Sequence, residues 1–273
     1  LQSQTETLPE GTIMKDLDTV RYEQEGAVAV ITINRPDAMN SFNTALRLDL
    51  RAAFEHAEGD RSVRAVVLTG EGRSFSAGAD LKSSMDTDKS VEQQLQTEYR
   101  PILECIARMP QPVIAAVGGS AAGIGMSYAL HCDLMIMADN AFLLSPFATI
   151  SLVPDGGLNW MLVQQLGYRR AFQLSVEAER IPAARCVELG LCNRAVPADK
   201  LLAEARAWAA SLAERAPLSL AATKQAMRHA ASADWASTFD IEAPLQRKLR
   251  NSSDCVEGVA AFFEKRKANF TGS

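Results

Sequence analysis

Two short turns built from small residues are the first candidates for chemistry. They are residues 75–80 (Phe-Ser-Ala-Gly-Ala-Asp) and 118–125 (Gly-Gly-Ser-Ala-Ala-Gly-Ile-Gly), and each follows an apolar, β-branched run, at 65–69 and 113–117. A strand that ends in Gly and Ala leaves backbone N–H groups uncovered, because no bulky side chain shields them. The second turn leads into a helix-like stretch, so its N–H groups also lie at the positive end of a helix dipole. Two such turns converging on one point would form an oxyanion hole, which stabilises negative charge on a carbonyl oxygen.

One carboxylate has a sequence context suited to proton transfer. Asp155 follows a proline and precedes two glycines, just before an apolar helix predicted to begin near Leu158. Apolar neighbours such as Phe147, Leu152 and Trp160 would raise its pKa towards neutrality, where a general base is most effective. The same segment is also typical of a turn whose Asp caps a helix N-terminus, and the two roles compete for the same oxygens.

Composition excludes several classes of protein. The 273 residues are 47% hydrophobic, and the net charge of −5 comes with scattered basic residues, which argues against a nucleic-acid partner. No apolar run approaches the roughly 18 residues that a membrane span needs. The cysteines are odd in number and form no Cys-x-x-Cys pair, which predicts reduced, mostly buried thiols and a cytoplasmic location; they are Cys105, Cys132, Cys186, Cys192 and Cys255.

The elements that must position the two turns alternate between strand and helix. Apolar, β-branched runs predict strands. Apolar residues at helical spacing predict helices from Asn43 to about Glu58, with Asn43 or Thr44 as the N-cap, and from Val91 to Met109. This alternation predicts an α/β fold with parallel strands. The predicted strands are 28–33, 65–69, 113–117, 134–138 and the short segment 142–144.

Strand signals stop after Pro154, and helices are predicted from there on. We therefore divide the chain into a polar leader or extension at 1–13, an α/β core at 14–197 and a C-terminal helical region at 198–273. Helices with apolar faces in such a region predict an oligomer. The predicted helices are 158–166, 184–189, 200–213, 218–231 and 254–265.

Four segments in this order resemble the enoyl-CoA hydratase/isomerase (crotonase) superfamily. They are residues 34–36 (Asn-Arg-Pro), 75–81, 119–133 and the closing 258–266 (Gly-Val-Ala-Ala-Phe-Phe-Glu-Lys-Arg). The resemblance implies a crotonase-type spiral of ββα units with a C-terminal helical trimerisation region, assembled as a homotrimer or dimer of trimers. It also implies acyl-CoA thioester substrates, with coenzyme A entering as part of the substrate and no metal or other cofactor.

The resemblance also assigns site residues. Transferred position by position, the two oxyanion donors are the backbone N–H groups of Ala77 and Ile124. Asp80 is expected to cap the following helix, although it belongs to a segment that holds coenzyme A in relatives. The residues implied to bind the substrate or its CoA are Ala38, Ala77, Gly78, Ala79, Asp80, Leu81, Lys82, Phe147, Phe263 and Lys265.

The carboxylates decide between reactions. Hydratases of this superfamily use two glutamates, and the matching positions here are Ser127 and Phe147. Asp155, in contrast, resembles the single base of Δ3,Δ2-enoyl-CoA isomerases and of the phenylacetate-pathway isomerase. The favoured function is therefore a double-bond isomerase with Asp155 as the only acid/base.

Other functions stay open at this stage. A hydratase could use a relocated carboxylate from among Asp86, Asp88, Glu92 and Glu98. Asp155 could act as a nucleophile, or the chain could be a catalytically silent acyl-CoA-binding protein. His131 lies in an apolar stretch and is expected to be a packed core histidine.

Overall fold

The computed structural model describes residues 17–82 and 88–273. The predicted leader at 1–13 and Asp86 lie outside the described residues.

A six-stranded sheet forms the centre of the fold. Its strand order is β1-β2-β3-β5-β7-β10, in which β1 pairs antiparallel with β2 and every other pair is parallel. The middle strands are buried along almost their whole length, as expected for a parallel sheet covered on both faces. The strands are β1 (Val20–Glu25), β2 (Val28–Ile33), β3 (Ala65–Gly70), β5 (Val113–Val117), β7 (Leu134–Ala138) and β10 (Arg194–Val196).

A second sheet of short strands continues from the first. Its order is β4-β6-β8-β9, with only the last pair antiparallel. Three long strands each lead, after a few residues, into a short one, namely β3 into β4, β5 into β6 and β7 into β8. This repetition of two strands and a helix is the predicted ββα spiral. The short strands are β4 (Ser74–Ser76), β6 (Ser120–Ala122), β8 (Phe142–Leu144) and β9 (Ile181–Pro182).

Helices cover both sheets. The side chain of Asn43 caps α1 by accepting a hydrogen bond from Leu46 N–H at 2.9 Å, as predicted. The predicted helix from Val91 to Met109 is also present, with a π-helical turn at Leu95–Tyr99 between α2 and α3. The helices are α1 (Thr44–Gly59), α2 (Val91–Gln94), α3 (Arg100–Arg108), α4 (Ile124–His131), α5 (Leu158–Leu166), α6 (Tyr168–Glu177), α7 (Ala183–Glu188), α8 (Leu201–Ala213), α9 (Pro217–Ala230), α10 (Trp235–Arg250) and α11 (Ser253–Glu264).

Several helices and strands were not predicted from the sequence. In β1 only alternate residues are buried, so it lacks the continuous apolar run of the inner strands. The short strands β4 and β6 overlap the two segments that we predicted as turns. The prediction that strands end at Pro154 is wrong, because β9 and β10 follow; both are two or three residues long. Helices α6 and α10 are further additions, and α6 begins directly after Gly167, which ends α5.

The helices after the last strand differ in how they are covered. Helix α8 lies against the six-stranded sheet through a buried row at every fourth residue, Leu201, Ala205, Ala209 and Ala213. Helices α9 and α10 bury no residue and expose large apolar side chains, including Trp235 at 79%. In the described part of the chain, no helix is both long and apolar enough to span a membrane. All five cysteines are free, and four are buried.

Candidate active site

The two small-residue turns lie against each other. Gly78 has a φ of +102°, and a Cβ on it would lie 3.0 Å from the carbonyl oxygen of Ala122. Gly123 has a φ of +54°, and a Cβ on it would lie 3.7 Å from the Cα of Gly78. Both positions favour glycine because side chains are disfavoured at these angles, and a Cβ on Gly78 would in addition crowd the second turn. Their contact brings the backbone of residues 77–80 next to the start of α4.

The hydrogen bonds of these turns separate occupied N–H groups from free ones. Ala77 N–H donates to the carbonyl oxygen of Met39 at 2.9 Å, and Gly78 N–H donates to Ser76 Oγ at 3.1 Å. Ile124 is the first residue of α4, so its N–H has no partner within the helix. Within the described residues, neither Ile124 N–H nor Ala79 N–H has an acceptor in hydrogen-bonding range.

This pattern corrects the sequence-based assignment of Ala77. Its N–H is already paired and is not available to a ligand, whereas the N–H two residues later, on Ala79, is free. The segment is extended and bridges to Phe42 through the residues on either side of Ala79. The sequence shows which turn has uncovered N–H groups, but the choice between Ala77 and Ala79 depends on a distant carbonyl.

The loop that contains Ala38 is joined to the first turn by an ion pair. Both terminal nitrogens of Arg35 lie 3.2 Å from Asp80 Oδ2, and Arg35 also donates to the backbone of Ser41. The helix that Asp80 was expected to cap would begin outside the described residues. Leu81 is 55% exposed, so this end of the turn lies at the surface.

Asp155 does not cap a helix with its side chain. Helix α5 begins after Gly157, which makes no side-chain cap, and the Asp155 backbone carbonyl accepts the hydrogen bond from Leu158 N–H. One carboxylate oxygen, Oδ1, is buried with no hydrogen-bond partner among the described residues. Burial raises the pKa of Asp155 from 3.8 to about 6, opposed only by a hydrogen bond with its own backbone. The carboxylate is therefore free for proton transfer, and the capping alternative is wrong.

The surroundings of Asp155 differ in part from the prediction. Leu152 and Trp160 are 56% and 45% exposed, so they are not the apolar neighbours that we expected. Two tyrosines lie near the carboxylate instead: burial raises the pKa values of Tyr99 and Tyr128, and the charge of Asp155 adds to both effects. Neither tyrosine was identified from the sequence, because they belong to separate helical segments.

The two positions that the resemblance matches to hydratase glutamates, Ser127 and Phe147, carry no acid group. Ser127 is fully buried, and its hydroxyl donates to the Asp155 backbone carbonyl at 3.0 Å. Phe147 is also buried, and its ring tip lies 3.8 Å from the Cβ that a side chain at Gly123 would have. A Cβ on Gly156 would come within 3.0 Å of Ser127 Cβ, so the loop of Asp155 packs closely on Ser127 only because residue 156 is glycine.

Replacement of Ser127 by alanine should loosen the Asp155 loop without removing the base. The lost hydrogen bond corresponds to about 1 kcal/mol. We expect kcat to fall by roughly a factor of ten or less, because Asp155 samples more positions, and the pH dependence of kcat/KM to stay in place. A loss as large as that for replacement of Asp155 would contradict this positioning role and would make Ser127 part of the chemistry.

Among the described residues, none of the candidate relocated carboxylates is placed as a second acid/base. Glu98 lies 2.7 Å from both Arg47 and Lys89. Burial acts to raise the pKa of Glu98, but the hydrogen bond from Lys89 and the charge of Arg47 outweigh it and hold that pKa below its usual value. Glu98 is thus fixed as an anion. Asp88 and Glu92 are exposed to solvent.

A cavity of about 540 Å³ opens beside Asp155. One wall is the helical segment from Leu95 to Ala107, and the other is the loop from Val153 to Gly157. His131 lines the same cavity, which corrects the prediction that it is a packed core residue. Phe263 is 77% exposed and Lys265 ends α11 at the surface, and neither lines this cavity. Their contact with coenzyme A remains a prediction.

Fold and site together define a class: a spiral α/β enzyme that offers two backbone N–H groups and a buried carboxylate. The enoyl-CoA hydratase/isomerase family model matches residues 23–273. The protein of Rhodobacter capsulatus named "Probable enoyl-CoA hydratase" is 42% identical over 93% of this chain and 98% of its own length. The 1,2-epoxyphenylacetyl-CoA isomerase of Escherichia coli is 35% identical, over 91% of this chain and 96% of its own.

Solved structures agree with this assignment. The crystal structure of an enoyl-CoA hydratase from a Polaromonas species superimposes with a TM-score of 0.88 at 34% identity, covering 92% of this chain and 99% of that one. The chain belongs to the enoyl-CoA hydratase/isomerase family and has the crotonase fold.

Proposed function

We propose that the protein is an enoyl-CoA isomerase that moves a double bond from C3 to C2 of an acyl-CoA, with Asp155 as its single acid/base. The observation that carries this proposal is the half-buried Asp155 carboxylate, whose buried Oδ1 has no hydrogen-bond partner among the described residues, at a site where Ser127 and Phe147 match the two hydratase glutamates. Isomerisation needs one group that removes a proton and returns it, whereas hydration needs a water to be positioned and a second proton to be delivered.

The reaction follows from the groups at the site. The thioester oxygen accepts hydrogen bonds from Ala79 N–H and Ile124 N–H, which acidify the C2 protons. Asp155 takes a proton from C2, the two N–H groups stabilise the dienolate oxygen, and the protonated Asp155 delivers the proton to C4. Each oxyanion donor typically contributes about 10²–10³-fold and a positioned base about 10²–10⁴-fold. The substrate supplies its own coenzyme A, and no other cofactor enters these steps.

Similarity to the 1,2-epoxyphenylacetyl-CoA isomerase supports this choice. The second candidate is an enoyl-CoA hydratase, which the name of the Rhodobacter capsulatus relative favours. A hydratase would need a second proton carrier, and Glu98 is held as an anion by two cations. Isomerisation is therefore the better match to the acid groups of the site.

The pH dependence of the reaction should follow Asp155. Because its pKa is raised to about 6, the carboxylate that acts as base forms only as the pH rises through 6. We expect kcat/KM for a 3-enoyl-CoA to rise about tenfold per pH unit below pH 6 and to level off above it. A rate profile with its lower limb near pH 4 would place the base in an exposed carboxylate instead.

Direct comparison of the two reactions tests the function. The purified protein is assayed with a 3-enoyl-CoA and with crotonyl-CoA, and products are separated by chromatography and mass spectrometry. We expect conversion of the 3-enoyl to the 2-enoyl ester, and hydration slower by about 10²-fold or more, as for loss of an acid/base group. Hydration that is as fast as isomerisation would overturn the proposal in favour of the hydratase.

The assembly and location are part of the same proposal. The exposed apolar residues of the C-terminal helices, including Met227, Trp235 and Phe239, support a homotrimer or dimer of trimers in which these side chains are covered. The five free thiols, four of them buried, support a reducing compartment such as the cytoplasm.

A further inference from the structure

His131 is held in one tautomer by its backbone contact. Its Nδ1 lies 3.0 Å from the carbonyl oxygen of Ser127. A carbonyl oxygen only accepts hydrogen bonds, so Nδ1 carries the hydrogen and Nε2 presents a lone pair. Burial lowers the pKa of His131, and the charge of Arg228 lowers it further, so the ring is neutral near pH 7. His131 therefore offers a hydrogen-bond acceptor.

The unused nitrogen belongs to the cavity of Asp155. His131 lines this cavity together with Gly157 and Asp155, and no described residue is within hydrogen-bonding distance of Nε2. The ring lies against Gly157, where a Cβ would come within 3.0 Å of Cε1 and 3.5 Å of Nε2. The lining is apolar at Leu103, Ala107 and Val153, and it also includes the exposed ion pair of Arg100 and Glu104. A polar acceptor on such a wall favours ligands that carry a matching donor.

Helix α4 sets the distance from the reacting end. Ile124 begins this helix and His131 ends it. At 1.5 Å per residue, the backbone of His131 lies about 10 Å along the axis from that of Ile124, and the ring lies back towards Ser127. The backbone of His131 is fixed by Arg228, which donates to its carbonyl oxygen at 2.6 Å and to Asp133 at 2.9 Å. Asp155 lines the cavity, whereas Ile124 and Ala79 do not. A medium-length acyl chain that runs beside α4 from a thioester at Ile124, past Asp155 and into the cavity, would bring its far end to the ring.

We propose that His131 Nε2 accepts a hydrogen bond from a hydroxyl group near the far end of the acyl chain, and that hydroxylated medium-chain acyl-CoA esters are the preferred substrates. This inference rests on the proposed function for the placement of the thioester. It assigns the acyl group, which the isomerase chemistry alone leaves open.

Binding of two saturated esters tests the inference without any turnover. Dissociation constants of ω-hydroxydecanoyl-CoA and decanoyl-CoA are measured by isothermal titration calorimetry on the full chain. One hydrogen bond to an otherwise unpaired acceptor predicts that the hydroxylated ester binds about tenfold more tightly. For the short pair ω-hydroxybutanoyl-CoA and butanoyl-CoA we expect no preference, because the hydroxyl does not reach His131. Equal affinities for the decanoyl pair in the wild-type protein would overturn the inference.

A variant and a matched control locate the preference. In His131→Phe the ring size is kept and the acceptor is lost, so the ratio of the two dissociation constants should fall to about one, as loss of one hydrogen bond predicts. Val153→Ala shortens an apolar side chain on the same cavity wall. It should weaken the binding of both esters and leave the ratio of their dissociation constants unchanged. A preference that survives in His131→Phe would overturn the assignment to His131.

These outcomes distinguish failure of the inference from failure of the proposed function. If the hydroxyl preference is present but no 3-enoyl-CoA is converted, the proposed function fails and the role of His131 stands. If isomerisation occurs and the decanoyl pair binds equally, the inference fails and the proposed function stands.

Discussion

Asp155→Asn should abolish isomerisation. Asparagine keeps the shape of the side chain but cannot take up a proton, so we expect kcat for a 3-enoyl-CoA to fall by about 10³–10⁴-fold, at the upper end for loss of a positioned base. Exchange of the C2 protons of a saturated acyl-CoA in D₂O, followed by NMR, should disappear with it. Both readouts depend on the same carboxylate, so both must be lost together.

The same variant should be more stable than the wild-type protein at neutral pH. A folded-state pKa of about 6, above the usual 3.8, means that the native protein favours the protonated acid. The contribution of Asp155 to the free energy of unfolding is therefore greatest below pH 4, and this contribution is lost as the pH rises through 6. The neutral amide avoids this loss, so thermal or urea unfolding at pH 8 should show a gain of about 1–3 kcal/mol.

Glu98→Gln is the matched control for the base. It also replaces a buried carboxylate by its amide, but Glu98 is an ion-pair partner of Arg47 and Lys89. We expect this variant to lose stability, because Arg47 remains buried without its anion, while C2 exchange persists. Exchange that survives in Asp155→Asn and vanishes in Glu98→Gln would exclude Asp155 as the base.

Gly156→Ala should disrupt the site while leaving the acid in the chain. Gly156 has a φ of +61°, and a Cβ there would collide with Ile124 Cδ1 and approach Ser127 Cβ to 3.0 Å. The loop must move to relieve these contacts, and Asp155 moves with it. We expect kcat to fall by roughly 10²-fold, as for a displacement of about 1 Å in a catalytic group.

Gly167→Ala is the control for Gly156→Ala, because it introduces the strain of a positive φ without a steric collision. Gly167 has a φ of +74°, and a Cβ added to it would meet no atom within 4 Å, so its substitution costs only the strain of a positive φ. Activity of this variant should stay close to wild type. Adding Ile124→Val to Gly156→Ala removes the colliding Cδ1 and should restore part of the lost activity. A Gly156→Ala enzyme with unimpaired kcat would show that the position of the loop is not critical.

The parts of the fold and site that could be predicted are those encoded by local patterns. Asn43 caps α1 because a short polar side chain precedes an amphipathic run, and the two glycine turns are visible as small residues after buried strands. Asp155 is also identified from its neighbours in the chain, because it lies between a proline and two glycines just before an apolar helix. In each case the signal and its structural effect lie within a few residues of one another.

The remainder depends on contacts between distant segments. Ala77 and Ala79 are both alanines next to Gly78, so the sequence does not distinguish their N–H groups. The carbonyl oxygen of Met39 accepts a hydrogen bond from Ala77 and leaves the N–H of Ala79 free. His131 has the apolar neighbours of a core residue, yet the loop at Gly157 leaves one side of its ring open to a cavity. Tyr99 comes near Asp155 only because the helices before and after β5 pack together. No pattern along the chain reports these arrangements.

The contact between Gly78 and Gly123 has an evolutionary consequence. The donors at this contact are peptide groups, so most substitutions in the surrounding side chains cannot delete them. Mutation is then free to exchange the acids and the pocket walls around two constant hydrogen-bond donors. A lineage can in this way acquire a new reaction through changes at very few positions, while the two glycines tolerate almost no variation.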